Sequence, residues 1–167
     1  MDTFSHALWG RGLFGFRGHP WLALMWGAMP DLVSFGAFMV YSMFTGIYVP
    51  GPPSLETIPP WVFFSYNLMH SFVVAFLVLG IVAWWRRDIA FAMLGWPFHI
   101  CLDFPFHTSA YFPTHLFWPL SDISVNGIPW STPWVWFSNL AGLAILFTWR
   151  YFQRRKKKAI RRSPDGF

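Results

Sequence analysis

All twelve lysine and arginine residues of this 167-residue chain fall in four places, and the apolar stretches between them leave little choice of fold. Arg11 and Arg17 precede the first stretch and Arg86 and Arg87 divide the second from the third. Arg150 stands at the edge of the fourth, and the rest run from Arg154 to Arg162. The four stretches run from Trp21 to Tyr48, Trp61 to Trp85, Ile89 to Phe104 and Pro133 to Phe152. Each is long enough, or nearly so, to cross about 30 Å of hydrocarbon at about 1.5 Å per residue. A chain that is 55% hydrophobic and only 11% charged has the composition of a membrane protein.

The connecting segments Val49 to Pro60 and Pro105 to Thr132 contain no basic residue. By the positive-inside rule they lie outside, both termini are cytoplasmic, and the chain is an integral membrane protein, of the inner membrane in a bacterial cell. The predicted fold is all-α: a polytopic membrane helical bundle of about four spans, preceded by a short helix over Thr3 to Phe16. The third stretch is short and carries Pro97, which alone would suit a re-entrant element; the charge placement argues for a crossing. Pro30 is expected to break the first span. Residues 1–152 form the membrane-embedded domain and 153–167 a basic, disordered cytoplasmic tail.

The tail's run RRKKKAIRR follows a span directly and has no interleaved aromatic platform, which favours anionic lipid headgroups over nucleic acid as its partner. The first sixteen residues are apolar but lack a positive leader and are interrupted by Arg11, which argues against a cleaved signal peptide. Cys101 is the single cysteine, so no intrachain disulfide forms.

Inside this apolar frame sit Asp31, His70, His99 and Asp103. A carboxylate at lipid depth costs roughly 2.5–3.5 kcal/mol, so it persists where a partner or a function holds it. His99 and Asp103 are four apart, on one helical face and about one turn from each other. Counted from the span ends, Asp31 and His70 both approach the midplane, so four side chains on three helices can converge. Two imidazoles and two carboxylates are a tetrahedral zinc set. The two carboxylates neutralise a divalent ion, and imidazole suits Zn, Fe, Ni or Cu better than oxygen-seeking Ca²⁺. Singly, each residue has a plainer role: Asp31 caps a helix after Pro30, His70 packs, His19 is solvated in a turn, and Asp88 meets a helix dipole.

With these residues aligned, the chain resembles the YdjM-type family of membrane-bound metal-dependent hydrolases. The matching pieces are DTFSHAL at Asp2 to Leu8, MPDL at Met29 to Leu32, MHS at Met69 to Ser71, HICLD at His99 to Asp103 and WPLS at Trp118 to Ser121. That family is similar to the zinc-dependent phospholipase C and single-strand nuclease superfamily. The resemblance implies that Asp31, His70, His99 and Asp103 hold one metal and that His6 joins a bridging Asp103 at a second. His107, His115 and Asp122 are only loose candidates for further ligands. The expected function is hydrolysis of a phosphoester, such as a membrane phospholipid, with zinc as cofactor and Asp122 of the outer segment as the catalytic base. Three alternatives remain open: an ion or proton path lined by Asp31, His70 and Asp103, haem held between His70 and His99, and a non-catalytic membrane scaffold.

Overall fold

The protein, seen as a computed structural model, is described over residues 1–162. Among these residues every named element is helical and no strand is named. Helix α1 runs Thr3–Phe14. Asp2 caps it by accepting from the Ser5 backbone N–H at 2.9 Å, which satisfies one of the donors that every helix start leaves free. A 3₁₀ turn Gly15–Arg17 and the left-handed Gly18 (φ 106°) end this first unit, close to the expected helix.

Pro30 does not break the first stretch. Helix α2, Pro20–Asp31, passes through a π turn at Leu32–Gly36 into α3, Ala37–Thr45. One turn beyond the proline the Ser34 hydroxyl donates to Pro30 O at 2.8 Å, and the helix continues through the wider turn without a break. Pro20–Thr45 is therefore one 26-residue helix, long and apolar enough to cross a membrane.

The second stretch is two helices, α4 (Pro60–Met69) and α5 (Phe72–Trp85), bent by 57°. The bend is written at His70–Ser71: the Ser71 hydroxyl accepts from the Val73 and Val74 amides and starts α5 afresh. Trp96 Nε1 donates to Met69 O at 2.6 Å, taking up one carbonyl freed at the end of α4. Together α4 and α5 also meet the length and apolarity of a span.

The third stretch differs from the expected single helix. It divides into α6, Arg87–Met93, and α7, Gly95–Asp103, each too short to cross alone. Pro97 sits in the first turn of α7, where a missing N–H costs nothing. Helix α8, Pro133–Arg162, carries the fourth stretch and continues through the basic residues. The tail expected to be disordered from residue 153 is thus helical to Arg162, and residues 163–167 lie outside the described residues.

Three helices meet at glycine. A Cβ on Gly10 of α1 would come within 2.5 Å of Ala23 O, and one on Gly27 of α2 within 2.4 Å of His6 O. On Gly95 of α7 it would lie 3.0 Å from Ala23 O and 3.1 Å from Gly27 N. Backbones touch here because no side chain intervenes. One turn along from these glycines lie His6, Asp31 and His99, so the contact that seats the helices also brings these side chains together. Helix α8 is fastened to α1 by Asn139, which accepts from Trp9 Nε1 at 2.8 Å and donates to Ser5 Oγ at 2.7 Å.

Segment 105–132 folds over one end of the bundle. Gly127 N donates to His107 O, Ile128 N to Pro105 O and Phe72 N to Leu116 O, each at 2.8–3.0 Å. Phe112, in the left-handed region at φ 52°, is buried with its ring stacked on Phe63 at 4.7 Å. Part of the segment's aromatic content is thus turned inward as packing.

Candidate metal centre

Asp31, His70, His99 and Asp103 come together: one donor atom from each lies within 4.8 Å of every other. Three are tightly set. His70 Nε2 is 3.1 Å from His99 Nε2, and Asp103 Oδ2 is 3.1 Å from His99 Nε2 and 3.3 Å from His70 Nε2. Asp31 Oδ1 is looser, at 3.6 Å from His99 Nε2 and 3.9 Å from His70 Nε2. A tetrahedral ion with donors at about 2.0–2.1 Å spaces them about 3.3–3.4 Å apart, which matches this set.

The hydrogen bonds behind these atoms decide what sits in front of them. His99 Nδ1 donates to Gly27 O at 2.7 Å and His70 Nδ1 to Tyr66 O at 2.9 Å. A carbonyl only accepts, so each Nδ1 carries a proton, and in the neutral ring Nε2 is left presenting a lone pair. Two lone pairs therefore face each other at 3.1 Å, beside a buried carboxylate oxygen, Asp103 Oδ2, that has no hydrogen-bond donor. Burying such an acceptor unpaired is costly. A proton can bridge one pair of these atoms, whereas a multivalent cation satisfies all four. The group can hold a metal ion on this ground as well as on distance.

The side chains of His70, His99 and Asp103 are fully buried, while that of Asp31 is 14% exposed. Asp31 does not cap a helix; its Oδ2 accepts from Thr3 Oγ1 at 2.8 Å, which ties it to α1. It is the donor on the open side.

Asp103 uses its second oxygen elsewhere. Oδ1 accepts from His6 Nε2 at 2.9 Å and from the Met1 backbone amine, and His107 Nε2 lies 3.7 Å away. His6 is buried, stacked on the His99 ring at 3.6 Å, and its Nδ1 has no partner. Helix α1 lies against α2 and α7, which places His6 in the interior. His6 thus joins the site through Asp103 and is not one of the four converging donors.

His107 is half-buried, and burial pushes its imidazole below the usual range. Its Nδ1 is 2.8 Å from the Tyr66 hydroxyl, which also reaches Thr114 Oγ1 at 3.1 Å. Tyr66 stacks on the His70 ring at 3.9 Å. Tyr66, Thr3 and Thr114 were not singled out in the sequence. Only the Tyr66 to His70 spacing of one helical turn hints at the contact.

The remaining candidates stand apart. Asp122 is exposed and makes no ion pair with the cluster, because the turn at Phe117–Ser121 carries it to the surface of segment 105–132. His115 Nδ1 donates to Asn67 Oδ1, 3.0 Å away, in a packing role. His19 pairs with Asp88 at 2.9 Å, and Arg86 donates to both oxygens of the same carboxylate. The Arg86 hydrogen bond, ahead of that from His19, holds the Asp88 carboxyl well below the usual range. Haem between His70 and His99 has no room, since their Nε2 atoms are 3.1 Å apart with both carboxylates at the same point.

Compared with protein-family models, with curated proteins and with solved structures, the chain matches none.

Proposed function

We propose that this chain is an integral membrane, zinc-dependent hydrolase of a phosphoester, with membrane phospholipid as the substrate class. The observation that carries the reading is the pair of imidazoles whose protons are anchored backward on Gly27 O and Tyr66 O, leaving both Nε2 lone pairs and Asp103 Oδ2 aimed at one point. Two imidazoles and two carboxylates favour zinc and make the loaded site neutral, as a low-dielectric interior requires.

A catalytic site needs an open position, and four protein donors would close a tetrahedral shell. Asp31 meets this need: it is the most distant donor, it is partly exposed, and Thr3 offers its carboxylate an alternative partner. When bound, a divalent ion supplies Lewis acidity to a water and to a phosphoryl oxygen. His107, neutral and held by Tyr66, replaces Asp122 as the group able to take a proton beside Asp103.

Four spans remain part of the proposal. In addition to Pro20–Thr45 and the bent α4–α5 pair, α6 with α7 and the apolar part of α8 would supply the other two crossings, with both termini cytoplasmic. Large apolar side chains exposed on several helices support a lipid surround, among them Phe44 at 89%, Leu77 at 63% and Ile145 at 71%. Membership of the YdjM-type family and a second ion at His6 and Asp103 rest on the motif order alone.

The test is elemental analysis of protein purified in detergent without chelator. About one zinc per chain is expected, falling strongly in His99→Ala. Phospholipid hydrolysis should need the metal and be lost in His107→Ala while zinc is retained. Wild-type protein free of transition metal would refute the reading. Zinc without turnover of any phosphodiester would leave a structural site, the alternative that four protein donors favour.

A further inference from the structure

A cleft of about 330 Å³ opens between α1 and α8, on the far side of α1 from the glycine contact. Arg11, Arg150 and Arg154 line it, with Phe16, Phe147 and Tyr151 as its apolar walls. Among the described residues none of these three guanidinium groups pairs with a carboxylate; the ion pairs involve Arg86, the histidines and the Met1 amine instead. Like charges one turn apart, as Arg150 and Arg154 are, repel unless an anion lies between them.

Arg150 is fixed in place. Its Nε donates to Gly12 O at 2.8 Å and its terminal nitrogen to Leu13 O at 3.2 Å, using the free carbonyls at the end of α1. The guanidinium plane also lies 4.1 Å over the Phe16 ring. These bonds use two of its five donors and leave the remainder for a ligand. Arg11 is held over Trp21 at 4.6 Å. Two of the three cations are thus pre-oriented before anything binds.

We infer that this cleft binds a phosphate group, as the headgroup of an anionic phospholipid or as a free phosphate, at a site separate from the metal centre. Guanidinium matches phosphate with paired hydrogen bonds, and the aromatic and aliphatic walls suit the glycerol and the first methylenes of a lipid. The cleft lies beside the helical run of lysines from Lys156 to Lys158, but it differs from that run in being concave and partly rigid. A diffuse basic surface attracts any anionic bilayer and is screened by salt. A built cleft saturates.

The experiment uses the full chain in phosphatidylcholine nanodiscs, titrated with short-chain phosphatidic acid, short-chain phosphatidylcholine or inorganic phosphate, and followed by tryptophan fluorescence. Saturable binding of phosphatidic acid is expected, weakened roughly tenfold or more by Arg11→Gln with Arg154→Gln. Arg150 is left intact because it closes α1. Stronger binding of phosphatidic acid than of inorganic phosphate identifies a lipid headgroup as the source, and equal binding identifies free phosphate. Arg154→Lys, which keeps the charge but not the paired geometry, should give an intermediate loss in protein whose unfolding temperature is unchanged. Two results would overturn the inference: no saturable binding of either phosphate, or binding that survives the two Arg→Gln changes and falls only when Lys156, Lys157 and Lys158 are neutralised.

Discussion

Gly27→Ala should loosen the candidate metal centre without touching any of its four donor residues. A methyl at this position would lie 2.4 Å from His6 O, 3.1 Å from His6 C and 3.2 Å from Ala7 Cα. All three are backbone atoms, so no side-chain rotation relieves the contact. Restoring an ordinary C···O separation of about 3.3 Å separates α1 and α2 by about 0.9 Å. If α1 gives way, the 2.9 Å hydrogen bond from His6 to Asp103 stretches beyond bonding distance and Asp31 loses Thr3. If α2 gives way, Asp31 moves, and so does Gly27 O, which orients His99. Either displacement exceeds the roughly 0.2 Å that a metal site tolerates. Overpacking costs about 1–3 kcal/mol, against about 1 kcal/mol regained in helix propensity, so a modest net loss of stability is expected. On the proposed reading of the site, zinc affinity should fall by roughly 10–100-fold, the effect typical of losing outer-shell partners. Competition with a chromophoric chelator measures the affinity, and thermal unfolding in detergent the stability. Gly80→Ala is the control, because a Cβ there meets nothing within 4 Å; it should leave zinc binding unchanged and stability equal or slightly higher. Wild-type zinc affinity in Gly27→Ala would refute the claim that the three-glycine contact sets the ligand geometry.

Asn139→Ala should destabilise by about 1–3 kcal/mol, since Trp9 Nε1 loses its acceptor while Ser5 keeps Asp2; unfolding indistinguishable from wild type would contradict the fastening of α8 to α1. The Asp88 pairing should matter at neutral pH and fade only in acid. Its folded pKa is depressed, so its contribution is full above the ordinary carboxylate value of about 3.9 and is lost as pH falls below it, through the folded value. Unfolding of wild type and Asp88→Asn compared at a series of pH values tests this, and a difference that has already vanished at pH 5 would overturn it.

The four converging residues were legible because each is an energetic exception in an apolar sequence, and His99 with Asp103 carry their helical spacing openly. The short first helix was legible to within two residues of its end at Phe14. Pro30 misled, because a proline announces a missing donor but not whether the helix runs on past it, as it does here through the π turn into α3. The bend at His70 depends on whether the Ser71 hydroxyl caps a new helix or bonds back to the old one, a choice made by Trp96 and Trp118 from elsewhere in the chain. Gly10, Gly27 and Gly95 show no pattern until three helices are in hand. Asp122 stands out in the sequence as an acid in a segment without basic residues, whereas His107 reaches the site because Tyr66 and Phe112 hold it there.

The converging donors come from three distant parts of the chain, at Asp31, at His70, and at His99 with Asp103. An ion holding them would close two long loops at once, from residue 31 to 70 and from 70 to 99. In a chain whose single cysteine rules out an internal disulfide, that makes the ion a reversible cross-link, acting on the entropy of the unfolded chain as a covalent bridge would. The same binding event that equips the site for chemistry would then also decide how readily the helices come apart.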